Sequence, residues 1–109
     1  MSGIHDLQEY MAALRASFDA GRAGEIRATV QYIFTGAVNG ACYASVADGA
    51  LEVGEGVHPA PTVAVTTDFA LWIQIIAYHH DPLMAYQEGL FTVEGDMETL
   101  IESDTWFRR

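Results

Sequence analysis

The sequence contains no lysine, and its basic side chains are arginines alone, with Lys and Arg together numbering 5 against 15 Asp and Glu. The formal net charge at pH 7 is −10. A surface of that sign repels nucleic-acid phosphates and anionic lipid head groups, because like charges oppose association. We therefore expect no nucleic-acid partner and no stable association with a membrane.

Cysteine and long apolar runs are also scarce. Cys42 is the only cysteine, so an intramolecular disulfide is impossible. The longest apolar stretch, residues 69–78, is interrupted by Gln74 and is shorter than the roughly 20 residues that cross a bilayer. The first residues lack the basic start and apolar core of a signal peptide. These features predict a cytoplasmic protein.

Hydrophobic residues, in contrast, make up 50% of the 109 residues, which is enough for one core and one domain over residues 1–109. The first segment carries an apolar stripe at helical spacing, which Ser2 would cap and Gly21 with Gly24 would end. The stripe comprises Ile4, Leu7, Met11, Leu14 and Phe18. It predicts a helix laid on a sheet, and it leaves open a homodimer formed through the same stripe.

From Ala28 onward the apolar period changes to two, which is typical of strands. The alternation predicts one apolar face, with Ala28, Val30, Tyr32 and Phe34, and one mixed face that includes Gln31. Turn signals at Asn39-Gly40 and Asp48-Gly49 separate three alternating runs and predict an antiparallel meander. A loop over residues 54–61 leads to a fourth strand over residues 62–67.

Helices dominate the remaining sequence. Thr67 or Asp68 would cap a helix that is apolar nearly all round, and such a helix must be covered on both sides or face an apolar guest. Asp81-Pro82 begins a short helix to about Gln87, residues 90–94 form a fifth strand, and Asp96 caps a final helix. The predicted fold is α+β: a single five-stranded, mainly antiparallel sheet with helices covering one face, including N-terminal and C-terminal helices.

No catalytic or metal-binding constellation stands out. His79-His80-Asp81 is the best candidate for a metal site. Adjacent residues on a helix point about a hundred degrees apart, however, and two ligands that bind one metal ion from a helix are usually three or four residues apart. His5 and His58 are distant in sequence, and Cys42 lies in a strand with no histidine beside it. We therefore predict no catalytic residue, no metal site and no cofactor.

An apolar surplus in the last two-fifths of the chain is the unusual feature. Aromatic and methionine side chains spread over several helices can pack a solid core, or they can enclose an apolar guest. A third interpretation is a face that docks on a partner chain, through the first helix and Trp106-Phe107. An enzyme that uses a tyrosine or histidine as acid or base has no support at catalytic spacing.

The order of motifs resembles sterol carrier protein 2 domains. TVQYIFTGAVNGACYASVADGALEVGEG is similar to the opening meander of that family, and PTVAVTTDFALWIQII to its fourth strand and following helix. DPLMAYQEGLFTVEGDMETL matches its short helix, glycine, strand and Gly-Asp entry to the last helix, here Gly89, Gly95 and Asp96. The resemblance covers about residues 24–107.

This resemblance implies a carrier with a hydrophobic tunnel between sheet and helices; ligands in the family are sterols, fatty acids, acyl-CoA and phospholipids. No motif defines the lining. We expect it to include Phe34, Trp72, Ile73, Ile76, Met84, Met97, Leu100, Ile101 and Phe107, with Tyr32, Tyr86 or Gln87 bonding a polar head group. The acidic charge, unlike the basic charge common in the family, disfavours CoA phosphates and anionic bilayers. No peroxisomal signal follows Trp106.

Overall fold

The computed structural model describes residues 4–36, 38–77 and 82–107. Five α-helices and five strands follow one another in the described residues, and a short 3₁₀ turn, Asp104–Trp106, ends them. In chain order they are α1 Leu7–Ser17, α2 Ala20–Ala23, β1 Ala28–Thr35, β2 Gly40–Ala47, β3 Ala50–Glu55, β4 Val63–Asp68, α3 Phe69–Ala77, α4 Pro82–Gln87, β5 Thr92–Gly95 and α5 Met97–Ser103. The prediction of an α+β fold is confirmed.

The five strands form one sheet in the order β3-β2-β1-β4-β5. β1 pairs with β4 in parallel, and the other three pairings are antiparallel. The sheet is therefore mixed, with one parallel pair inside the mainly antiparallel arrangement that the sequence predicts. α1 packs over β2 and β3, and α5 packs over β1 and β4.

Of the two turns predicted from the sequence, one is a tight hairpin turn in the structure and the other is part of a longer connection. Ala47 pairs with Ala50, so Asp48 and Gly49 form a two-residue connection, and both have positive φ, 56° and 75°. This geometry suits an Asp-Gly hairpin turn, as predicted. The Asn39-Gly40 signal instead marks the end of a longer connection, because β2 begins at Gly40, which pairs with Phe34.

The N-terminal segment forms two helices rather than one that runs to Gly21. Asp6 caps α1, its carboxylate accepting from the Glu9 amide at 2.8 Å; Ser2 lies outside the described residues. α1 ends at Ser17; the next residue, Phe18, has an extended backbone and bridges to Phe107, and Asp19 then caps the short α2. A contact with the far end of the chain breaks the predicted helix.

The alternation in β1 places a polar residue unexpectedly deep. Tyr32 and Phe34 face the helices, as predicted, while Gln31 on the opposite face is only 1% exposed. The chain connecting β3 to β4 covers it there: the Gln31 amide accepts from the His58 amide at 2.7 Å and donates to the Gly56 carbonyl at 3.0 Å. Gln31 thus holds the connection that allows β4 to pair in parallel with β1.

The entries to α3 and α5 are capped by aspartate, as the sequence predicts. Asp68 accepts from the Leu71 amide at 3.0 Å, and Asp96 accepts from the Glu98 amide at 3.1 Å. Gly95 precedes the second cap with φ 102°, and a Cβ there would lie 2.5 Å from the Thr62 carbonyl oxygen. Only glycine fits that close approach without a backbone shift.

None of the helices in the described ranges is long and apolar enough to cross a membrane.

Candidate functional site

A chain of aromatic contacts joins the sheet to the surface of the helical side. Phe34 stacks with Tyr32 at a centroid distance of 6.1 Å, and Tyr32 contacts Trp72 of α3 at 6.0 Å. Trp72 meets Phe91 edge to face at 5.5 Å, and Phe91 contacts Tyr86 of α4 at 6.1 Å. We call these five residues the ring path. Its first four rings are buried, and Tyr86 is 42% exposed.

A buried hydrogen bond links the ring path to α1. The indole Nε1–H of Trp72 donates to the Tyr10 hydroxyl at 2.9 Å. Tyr10 is 2% exposed and packs edge to face against Tyr32 and Phe34. Burial, followed by the neighbouring Tyr32, raises the pKa of Tyr10 well above its ordinary value. The Tyr10 hydroxyl is therefore held in its neutral form.

Helix α4 presents apolar side chains outward. Leu83, Met84 and Tyr86 are exposed, as is Leu90 in the following turn, whereas Ala85 is fully buried and anchors the helix. Met84 is 53% exposed, and Gln87 is exposed as well. The structure therefore places Met84, Tyr86 and Gln87 at the surface of the helical side rather than in its interior.

Helix α5 contributes the opposite boundary of the same region, since α4 and α5 pack together. Leu100 is 3% exposed, while Met97 and Ile101 are half-buried. Phe107 lies beyond the C-terminal end of α5, where its ring contacts Phe18 at 6.0 Å. Within the described residues, the ring contacts of Phe107 are with Phe18 and Trp106 and not with the ring path.

Helix α3 holds the remaining predicted residues. Trp72 is buried, Ile73 is half-buried against the core, and Ile76 lies in the helix with its side chain outside the described part of the structure. The predicted positions that the structure brings together are therefore Phe34, Tyr32, Trp72 and Tyr86, through the ring path. The half-buried Ile73 of α3 and Met97 of α5 pack against the same buried core.

Sequence reasoning missed Tyr10 and Phe91. Tyr10 is three residues after Leu7 and four before Leu14, so helical spacing could have identified it as part of the stripe. Phe91 lies in the turn that leads into β5, where no local pattern distinguishes an inward from an outward ring. Trp106 is also notable: it is fully buried, and its indole Nε1 has no hydrogen-bond partner in the described structure.

The candidate nucleophile and histidines are in ordinary structural settings. Cys42 is fully buried, and burial, followed by the charge of Glu55, raises its pKa to about 12, so a reactive thiolate is disfavoured. His58 contacts Tyr43, and its Nδ1 accepts from the Ala60 amide, while His5 pairs with Glu9 at the surface.

Metal coordination has no candidate in residues 4–36, 38–77 and 82–107, where no three His, Cys, Asp or Glu side chains could hold one ion. The predicted candidate His79-His80-Asp81 lies outside the described residues.

Comparison with solved structures finds the same fold in proteins of different size. The secondary alkylsulfatase Pisa1 from Pseudomonas sp. matches with a TM-score of 0.82 and 20% identity over 93% of this chain. This chain spans only 16% of that enzyme's length.

Two proteins of similar length also share the fold. The ubiquinone synthesis protein UbiJ-SCP2 matches with a TM-score of 0.69 and 9% identity, covering 89% of this chain and 88% of that one. Palmitated SCP2L2 from Aedes aegypti matches with a TM-score of 0.64 and 20% identity, covering 94% and 93%.

A search of curated protein sequences finds no match. The family model described as the SCP-2 sterol transfer family matches residues 9–107, which include every strand and every helix after the first two residues of α1. The resemblance found from the sequence motifs is thereby confirmed: the chain belongs to the SCP-2 sterol transfer family.

Proposed function

We propose that the chain binds and carries a hydrophobic small molecule, a sterol, fatty acid or related lipid, against the ring path and between the sheet and helices α3, α4 and α5. The observation that carries this proposal is the continuous run of rings from buried Phe34 to exposed Tyr86. An apolar ligand that contacts the exposed side chains of α4 would continue this run of apolar contacts, and no polar backbone group would have to be buried. Family membership supports the same class of ligand, as does the palmitate named for the Aedes protein.

Apolar burial would supply the affinity. Side chains already exposed on α4 lose contact with water when a ligand covers them, at about 25 cal/mol per Å² of apolar area before the cost of ordering the ligand. Met84 suits a variable guest, because its unbranched thioether side chain adapts to different shapes. Tyr86 and Gln87 are placed at the surface, where they can bond a polar head group.

The test is a calorimetric titration with decan-1-ol, a soluble molecule with one apolar chain, after native mass spectrometry has shown whether a lipid co-purifies. Met84→Glu introduces a charge on the exposed face of α4, so we expect at least about a tenfold loss of affinity, since a charge buried without a partner is costly. Because Met84 is 53% exposed, the substitution leaves the core unchanged.

Val57→Glu is the matched control. Val57 is 72% exposed and lies in the connection on the other face of the sheet, so the same charge there leaves binding unchanged. Saturable binding that Met84→Glu weakens and Val57→Glu does not supports the proposal. A delipidated, folded protein that binds neither decan-1-ol nor a fluorescent sterol contradicts it.

A second candidate function is docking on a partner chain or within a larger protein. The specific observation is the fit to 93% of this chain by a segment of the alkylsulfatase Pisa1, whose own chain is much longer. In that case the exposed side chains of α4, or the stripe of α1, contact protein instead of lipid. Light scattering across a concentration series tests the homodimer form: a dimer that Met84→Glu dissociates, with no decan-1-ol binding, favours docking.

A further inference from the structure

The connection from β3 to β4 crosses the face of the sheet opposite the helices. We call residues 56–62 the strap. Its two ends are bonded to strands: the Gly56 amide donates to the Ala41 carbonyl at 2.8 Å, and the Thr62 amide donates to the Thr29 carbonyl at 2.9 Å. The Thr29 amide donates in turn to the Thr62 hydroxyl at 3.0 Å. Both ends are therefore fixed to the sheet by groups that do not titrate near neutral pH.

The middle of the strap has few backbone donors. Pro59 and Pro61 have no N–H, so the segment His-Pro-Ala-Pro offers only the amides of His58 and Ala60. The His58 amide donates to the Gln31 side chain at 2.7 Å, and the Ala60 amide donates to Nδ1 of the His58 ring at 3.0 Å. Both hydrogen bonds that the backbone of this segment donates thus involve His58.

The second of these bonds fixes the protonation state of the His58 ring. A backbone N–H can only donate, so Nδ1 must present its lone pair to Ala60 and the ring proton must be on Nε2. An imidazolium has an N–H at both positions and accepts no hydrogen bond. The closed strap therefore requires neutral His58, because a proton on Nδ1 would set the ring N–H against the Ala60 N–H.

The titratable groups around the His58 ring do not replace that bond. Tyr43 of β2 packs edge to face against the half-buried ring at a centroid distance of 5.0 Å. By strand register Glu52 of β3 and Glu94 of β5 are on the same face, and both are exposed; Glu55 of β3 is paired with α1 on the other face. Within residues 4–36, 38–77 and 82–107 no carboxylate forms an ion pair with the ring, so none holds an imidazolium in the closed strap.

We propose that His58 is a pH-sensitive latch for the strap. Histidine side chains gain a proton as the pH falls from about 8 to about 5, and over that range the bond from Ala60 is lost. The middle of the strap then opens while its two ends stay on the sheet. The Gln31 side chain, 1% exposed in the closed strap, gains access to water.

NMR spectroscopy of the full chain tests the latch in two steps. Long-range ¹H–¹⁵N spectra identify the tautomer of His58, and we expect the proton on Nε2 at about pH 8. Hydrogen exchange, expressed as a protection factor to correct for the intrinsic effect of pH, then reports the Ala60 amide. We expect its protection to fall about three- to tenfold from about pH 8 to about pH 5, as for the loss of one hydrogen bond. Protection of the Thr62 amide stays constant, because its acceptor is the Thr29 carbonyl.

His58→Asn is the matched variant. The side-chain oxygen of Asn can accept from the amide two residues further on, and it does not titrate. We therefore expect protection of Ala60 to be flat across the same pH range in this variant. His5→Gln is the control, since His5 titrates at the surface beside Glu9 and does not contact the strap. The other two histidines are present in all three proteins, so their titration is common to every comparison.

The proposal is supported if Ala60 loses protection at low pH in the wild type and in His5→Gln but keeps a flat profile in His58→Asn. A proton on Nδ1 of His58 at about pH 8 would overturn it. So would the same pH profile for Ala60 in the wild type and in His58→Asn, or a pH response that His5→Gln abolishes. None of these outcomes depends on ligand binding, so the proposed function is tested separately.

Discussion

Gln31 gives the sharpest test of how this sequence reaches its fold. Its side chain is 1% exposed, and its amide makes hydrogen bonds to the Cys42 carbonyl, the Gly56 carbonyl and the His58 amide at 3.0, 3.0 and 2.7 Å. Gln31→Leu keeps the approximate volume and removes these bonds, together with a longer one to the Tyr32 carbonyl at 3.3 Å. At about 0.5–1.5 kcal/mol for each of the three shorter bonds, the loss is about 1.5–4.5 kcal/mol in the free energy of unfolding.

For a chain of this length that cost lowers Tm by about 7–20 °C. Urea unfolding followed by circular dichroism measures the free energy, and hydrogen exchange measures opening of residues 56–61, which we expect to lose protection first. Gln8→Leu is the matched control: Gln8 bonds Glu55 at the surface, so its loss changes stability by no more than about 0.5 kcal/mol. If Gln31→Leu were as stable as the wild type, the role of Gln31 in holding the β3–β4 connection would be refuted.

Three further predictions concern the interior and the β5 edge. Tyr10→Phe leaves the buried indole N–H of Trp72 without its acceptor and is expected to cost about 1–3 kcal/mol of stability in urea unfolding; an unchanged midpoint would contradict the hydrogen bond. Gly95→Ala forces a Cβ against the Thr62 carbonyl at positive φ, so we expect a loss of about 1–3 kcal/mol and weaker exchange protection in β5; wild-type protection would show that the approach is not tight. Burial raises the pKa of Cys42 from an ordinary 9.0 to about 12 in the folded state, so its contribution to stability is complete below pH 9 and is lost as the pH rises towards 12. Cys42→Val should therefore reduce the fall in the free energy of unfolding over that pH range. An unaltered slope would contradict this assignment.

Local patterns were sufficient for much of the fold. The Asp48-Gly49 turn and the Asp96 cap are set by neighbours in sequence, and both form as predicted. The alternation in β1 also predicted correctly that Tyr32 and Phe34 are buried.

Where prediction failed, contacts distant in sequence decide the structure. α1 ends before Gly21 because Phe18 pairs with Phe107, and no local sequence pattern around Phe18 predicts that bridge. Gln31 is buried only because residues 56–58 cross over it, a consequence of the parallel β1–β4 pairing.

The candidate site shows the same division. Trp72 and Phe34 are among the lining residues expected from the family resemblance, and the structure links them through Tyr32. Whether an apolar residue of α4 points inward depends on how a six-residue helix docks, and so short a helix has too little periodicity to show it. Met84 is therefore at the surface, where it remains a proposed ligand contact.

The most direct test of the account is the response of the two tryptophan indole signals to decan-1-ol in a ¹H–¹⁵N NMR titration, assigned with Trp→Phe variants. Trp72 lies on the ring path, whereas the ring contact described for Trp106 is with Phe107, which is not part of the ring path. The account predicts a saturable shift of the Trp72 indole with little change at Trp106. A saturable shift confined to Trp106, or no saturable shift at either indole, would contradict binding against the ring path.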